Sequence, residues 1–314
     1  MSRIRISGIA YVRFQVPDLA AIRRFLDDFG LTCVADDGSR LFSRGAQRAP
    51  FIYAAELGEP RFLALGLRAA TIGDLAVLAE AEQCEIARLD APGGGQVVVL
   101  HDPDGNRIEV VAGQSPSPLL DSLSSPAWNR AGAPARVGEP KRIGKGPSHV
   151  TRLGHCELSV RNFETSERWY KDRFGFISSD EVRLSPEIAL GAFLRCDRGY
   201  APTDHHTLLL VQDPENLGFV HAAFEVADLD DLMAGHHWLE QAGHPLVWGI
   251  GRHVLGSQVS DYWRDPWGHV LEHWTDGDLL VASDATNVAT IEDLRGVQWG
   301  PRAPAPRPAR SDTV

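Results

Sequence analysis

Residues 8–16 read GIAYVRFQV, in which apolar and polar positions alternate with the period of a strand half-buried on one face. A polar turn and FLDDFGL follow. Residues 152–160, RLGHCELSV, open the same sequence of events and lead into RNFETSERWYKDRFGF. Both stretches predict a strand, a capped helix and an aromatic–glycine stop. Asp18 and Asn162 suit the N-caps, and Gly30 and Gly175 suit the left-handed residue that ends each helix. The pattern returns further on. RFLALGLRAATIGDLAVLAE (61–80) parallels GFVHAAFEVADLDDLMAGHH (218–237), and HDPDGNRIEV (101–110) parallels RDPWGHVLEH (264–273). The chain thus reads as a tandem duplication, each half built from two units of strand, helix and strands.

A chain of 314 residues is consistent with two domains, at roughly 100–200 residues each. The expected boundaries are 1–115 for the first domain, 116–148 for a Ser/Pro/Gly/Arg-rich linker, 149–285 for the second domain and 286–314 for a C-terminal extension. The Pro/Ala/Arg-rich end of that extension, RAPAPRPARSDTV, is expected to be disordered, and 281–298 could pack as a short addition. Lys and Arg number 31 against 42 Asp and Glu, a net charge of −11 that disfavours nucleic acid and anionic lipid as partners. No run approaches the roughly 18 apolar residues of a membrane helix, and the amino terminus lacks a signal-peptide core. Four cysteines without a CxxC pair fit reduced thiols in a cytoplasmic protein.

The second half places polar residues where strand interiors are ordinarily bland. Alternation puts Cys156, Leu158 and Val160 on one face and His155, Glu157 and Ser159 on the other. It puts Val220, Ala222, Phe224 and Val226 opposite His221 and Glu225, and Leu271 opposite Glu272 and Trp274. Three strands therefore turn His155, His221 and Glu272 toward one face, which a curved sheet would gather into a cup. Any one of these residues alone would read as structural. Two imidazoles and a carboxylate together form the facial triad that holds non-haem Fe(II) and leaves coordination positions open.

The segment Gly251–Glu272, GRHVLGSQVSDYWRDPWGHVLE, resembles the signature of the type I extradiol ring-cleavage dioxygenases of the vicinal oxygen chelate superfamily. Gly251, His253, Tyr262, Asp265, Pro266, Gly268 and Glu272 match it, while Asp261 stands where the family has an apolar residue. The resemblance implies an α+β fold of two tandem domains, each of paired βαβββ modules. It implies His155, His221 and Glu272 as ligands of Fe(II), with Mn(II) the second choice. His206 matches the family's active-site histidine and is expected to move a proton. His253 and Tyr262 match groups beside the substrate, although either could be structural. In the first half the ligand positions are Tyr11, Ala64 and Glu109, so that half resembles the non-catalytic domain.

The implied activity is ring cleavage beside the diol of a catecholic substrate with O2, in aromatic catabolism, by a homo-oligomer. A glyoxalase-like isomerase or lyase and a non-enzymatic small-molecule-binding protein are the alternatives. Among the other histidines, alternation allows only one of His205 and His206 to point inward, on a face with Leu208 and Leu210. His236 and His237, on a helix expected over 229–242, read as solvated. His149, His244, His269 and His273 have no partner pattern. Cys156 reads as a core thiol, and five of eight tryptophans fall between 238 and 274, which suits a pocket for a flat ring.

Overall fold

The computed structural model describes residues 2–120 and 126–305. The first domain runs β1 (Ile6–Val16), α1 (Leu19–Asp28), β2 (Thr32–Asp36), β3 (Arg40–Arg44), β4 (Tyr53–Leu57), then β5 (Arg61–Ala69), α2 (Ile72–Glu82), β6 (Ile86–Arg88), β7 (Gln96–His101) and β8 (Arg107–Ala112). These are two βαβββ modules in one sheet of order β2-β3-β4-β1-β5-β8-β7-β6, joined by the antiparallel pair β1 and β5.

The second domain repeats this with β9 (Val150–Val160), α3 (Phe163–Phe174), β10 (Phe176–Ser185), β11 (Ile188–Cys196), the short β12 (Thr203–Asp204) and β13 (Leu208–Gln212). Its second module is β14 (Gly218–Val226), α4 (Leu229–Gln241), β15 (Leu246–His253), β16 (Val259–Arg264) and β17 (Val270–Thr275). After β17 come β18 (Leu279–Leu280), which pairs with β12, then β19 (Asn287–Thr290), α5 (Ile291–Leu294) and β20 (Val297–Trp299). β19 and β20 extend the sheet at its two edges, on β10 and β15, giving the order β19-β10-β11-β13-β9-β14-β17-β16-β15-β20. Sheet edges are otherwise open to foreign strands. The expected disorder over 302–314 falls mostly on residues 306–314, outside the described residues.

The helices form where the sequence caps them. Asp18 accepts from the Ala21 amide, Asn162 from Thr165, and Thr71 and Asp74 make a reciprocal capping box. Ile22, Phe25 and Leu26, at helical spacing, are fully buried, each such side chain contributing about 1.5–3 kcal/mol. Gly30 ends α1 at φ +92°, and a Cβ there would stand 1.9 Å from the Ser148 carbonyl oxygen, so only glycine fits. Among the described residues, no helix is long and apolar enough to cross a membrane.

The helix-covered faces of the two domains share one core, in which Phe14, Phe25 and Phe29 join Phe163, Phe174 and Phe224. Cys156 lies there, buried as expected, and all four cysteines are free. Polar contacts tie the halves. Tyr170 Oη donates to Asp102 at 2.9 Å, Arg173 pairs with Glu82 at 2.9 Å, and His273 Nε2 donates to the Phe29 carbonyl at 2.8 Å.

The opposite, concave faces differ. Tyr11, Phe42, Phe51 and Leu89 fill the first cup. The second holds a cavity of about 450 Å³.

Candidate metal centre

β14 lies between β9 and β17, and Ala223 pairs with His155 on one side and Glu272 on the other. Laterally paired residues point to one face, so His155 and Glu272 both project into the second cup. His221, two residues before Ala223, shares that face. His155 Nε2 lies 3.2 Å from Glu272 Oε2, His221 Nε2 lies 3.1 Å from the same oxygen, and the two nitrogens are 3.4 Å apart. Adjacent donors of an octahedron stand √2 bond lengths apart. Bonds of about 2.2 Å therefore separate them by about 3.1 Å.

The donors fit a cation in charge as well as spacing. Glu272 is fully buried, and neither of its oxygens has a hydrogen bond of acceptable geometry. The imidazole nitrogens near Oε2 are close to it without donating to it. A lone buried carboxylate costs several kcal/mol unless a positive charge balances it. His221 Nδ1 sits 3.0 Å from Glu157, which directs its hydrogen away from the centre and leaves Nε2 to ligate. Burial lowers the pKa of both imidazoles. In His221 the Glu157 and Glu272 carboxylates overcome that effect and raise it to about 9, whereas in His155 burial prevails. Burial would raise Glu272, but the two imidazoles hold it well below the usual carboxylate range.

His206 lies against His155 with ring centres 3.9 Å apart and the rings tilted by 44°, and burial, reinforced by the surrounding imidazoles, pushes its pKa far down. His253 Nε2 and Tyr262 Oη are 2.8 Å apart. Tyr262 pairs with Glu272 across β16 and β17, and burial followed by the Glu272 charge raises its hydroxyl well above the usual range. Trp248 stacks on Tyr262 at 5.4 Å and 17°, forming an aromatic wall. All six expected site residues thus meet in or around one cavity. Phe193, Leu209, Val211 and Leu255 line its apolar side, and Leu294, Arg295 and Pro304 of the extension border it.

Four expectations need correction. A bulge between Phe219 and His221 turns Val220 into the cavity rather than the core. Only His206 of the two neighbouring histidines lines the cavity, as expected, but both are buried and precede β13 in an irregular turn where alternation does not hold, so Leu209 and Val211 share the cavity with His206 while Leu208 and Leu210 face the core. His236 is not solvated: its Nδ1 lies 3.0 Å from buried Asp261, which also accepts from Trp263 Nε1 at 2.6 Å. This pair explains why an acid replaces the apolar residue before Tyr262. The four histidines without expected partners all have them: His149 meets Asp231, His244 Asp28, His269 Asp265 and His273 the Phe29 carbonyl. The Asp-Pro-x-Gly stretch is structural, since Asp265 Oδ1 accepts from the amides of Trp267 and His269, and Gly268 takes φ +95° in the turn into β17. Glu157 could have been singled out by its position two residues after His155.

The first domain has the same row without the donors. Gly66 pairs with Tyr11 and Glu109 as Ala223 pairs with His155 and Glu272. There Glu109 accepts from Tyr11 at 2.7 Å and is ion-paired with Arg13 at 2.8 Å and Arg107 at 2.7 Å.

Residues 152–273 match the model of the Glyoxalase/Bleomycin resistance protein/Dioxygenase superfamily. Across 308 residues the chain is 33% identical to metapyrocatechase 2 of Cupriavidus necator, covering 96% of this chain and 91% of that one. It belongs to the type I extradiol ring-cleavage dioxygenases of the vicinal oxygen chelate superfamily. An iron-dependent extradiol dioxygenase of Rhodococcus jostii (strain RHA1) is 28% identical over 321 residues, covering 90% of this chain and 95% of that one. The Mn(II)-bound glyoxalase of Novosphingobium aromaticivorans superposes with a TM-score of 0.79 at 23% identity, covering 98% and 96% of the two chains, which shows the shared fold. As an extradiol dioxygenase, the chain carries its metal-type donor set in the second domain, where the family model matches.

Proposed function

We propose that His155, His221 and Glu272 hold Fe(II) and that the enzyme opens a catecholic ring beside its diol, inserting both atoms of O2. The observation that carries this reading is the trio of donor atoms at 3.1–3.4 Å, delivered by three adjacent strands to the wall of a cavity. Bound there, Fe(II) would supply Lewis acidity toward the vicinal hydroxyls and a route for electrons from ring to dioxygen. Mn(II) is the second choice, since the same ligands accept both; the iron-dependent Rhodococcus relative supports Fe(II).

The protein's own groups do the rest. Trp248 and the apolar wall hold the flat ring and exclude water. Tyr262 Oη, kept protonated by its raised pKa, donates to a substrate oxygen. His253, 2.8 Å from that hydroxyl, holds it in place and faces the bound ring. His206, uncharged in its buried setting, takes a proton from a substrate hydroxyl and returns it to the product. A glyoxalase-like site would call for a fourth protein donor, and Glu157 faces His221 Nδ1 instead. The same reading places the enzyme in the cytoplasm as a homo-oligomer whose partners are a catechol and O2.

The test is anaerobic loading with Fe(II) followed by exposure to catechols in air. One O2 consumed per catechol, with a coloured ring-fission product, is expected. Absence of oxygen uptake by fully loaded protein across the panel overturns the reading.

A further inference from the structure

His206 is one end of a buried chain of hydrogen bonds. Its Nδ1 lies 3.1 Å from Nδ1 of His205, and Nε2 of His205 lies 2.6 Å from Asp180 Oδ2. The three side chains come from residues only 3%, 4% and 5% exposed. Asp180 Oδ1 accepts from Asn287 Nδ2 at 2.7 Å, so β19 of the extension supports the far end. Ser179 Oγ donates to the His205 carbonyl at 2.5 Å and itself accepts from Arg195 at 3.0 Å. Gly256 leaves room for the His205 ring: a Cβ there, at φ +75°, would stand 2.9 Å from Nδ1.

These contacts fix where hydrogens sit. A carboxylate only accepts, so His205 Nε2 carries a hydrogen toward Asp180. In a neutral ring that leaves Nδ1 of His205 as an acceptor. The hydrogen between the two imidazoles then belongs to His206 Nδ1, and His206 Nε2 is left with a bare lone pair at the cavity.

We propose that His205 and Asp180 are positioning residues that lock His206 in the Nδ1–H tautomer, with an unprotonated Nε2 presented to the substrate. The role of that Nε2 in ring cleavage rests on the function proposed above; the tautomer does not. One proton passes from a substrate hydroxyl to Nε2, and none is passed on to Asp180. The imidazolium so formed is stabilised through His205 by the carboxylate, the arrangement by which a buried acid orients a catalytic histidine in hydrolytic triads. The same proton is later returned to the product.

The tautomers can be read directly by two-bond ¹H–¹⁵N correlation on the full-length, metal-free chain labelled with ¹⁵N-histidine, with His205→Gln and His206→Gln assigning the signals. A protonated Nδ1 and bare Nε2 on His206, with the reverse on His205, are expected. Asp180→Asn, whose amide donates to His205, should reverse the His206 pattern. A protonated Nε2 on wild-type His206, or a His206 pattern unmoved by Asp180→Asn in folded protein, overturns the proposal. In the iron-loaded enzyme Asp180→Asn should lower kcat by about 10–100-fold with anaerobic catechol affinity unchanged. An equal loss of affinity overturns it. If Asp180→Asn does not fold, His205 variants decide: His205→Gln, whose amide oxygen can still accept from His206, should retain more kcat than His205→Leu, and equal losses overturn the proposal. Protein inactive toward every catechol but showing the expected tautomers would overturn the ring-cleavage reading and support this one.

Discussion

Arg13 of the first domain holds the place of Glu157 in the second. It faces Ala64 across β1 and β5 as Glu157 faces His221 across β9 and β14, and its guanidinium lies 2.8 Å from buried Glu109. The first domain thus balances its buried carboxylate with an organic cation, where the second gathers donors around a space for a metal. Arg13→Leu should cost about 3 kcal/mol in urea denaturation, the low end for breaking a buried ion pair because Arg107 still faces Glu109. Metal content should not change.

Metal retention separates the histidines by position. His221→Ala removes one of three donors and should reduce bound iron, measured after desalting, to near zero. His237→Ala, on the exposed side of α4, should leave it unchanged. Glu157→Gln keeps a hydrogen-bond acceptor for His221 Nδ1 but loses the charge, and should weaken iron binding by about 10–100-fold in a chelator competition.

The His236–Asp261 contact predicts a pH-dependent stability. The hydrogen bond to Asp261 raises the His236 pKa against the opposing effect of burial. A group raised on folding binds its proton more tightly in the folded state. Its contribution is complete below the ordinary value of 6.5 and declines as pH rises through the folded-state value. Thermal melts of wild type and His236→Gln should differ by about 1–2 kcal/mol near pH 6, and the difference should shrink as pH rises through the raised folded-state value.

The stacked pair of Trp248 and Tyr262 forms the wall expected to receive the ring. Trp248→Ala should raise KM for a catechol by about tenfold, equivalent to roughly 1.4 kcal/mol, with kcat and iron content little changed. Steady-state kinetics on the iron-loaded enzyme measures both.

Local periodicity carried much of the architecture. Period-two alternation located His155, His221 and Glu272 on one face because β9, β14 and β17 are regular where those residues lie. Alternation failed at the two irregular places, the bulge at Val220 and the turn before β13. There the side chain's direction depends on a backbone departure that residue types do not announce. The partners of His149, His244 and His273 were invisible for another reason: Asp231, Asp28 and Phe29 are tens to hundreds of residues away and meet them only through tertiary packing. The same holds for Asp180 and Asn287, brought together by the parallel pairing of β10 and β19.

The bond from His273 to the Phe29 carbonyl has a practical side. His273 follows Glu272 directly, and its ring lies 3.8 Å from that of Phe29. A miniature catalyst cut from the second half alone would lose this anchor beside Glu272 and lay bare the aromatic surface shared with the first half. The first half, whose matching row lacks the donors, is therefore a built-in scaffold, and attempts to shorten this enzyme should redesign that surface before removing it.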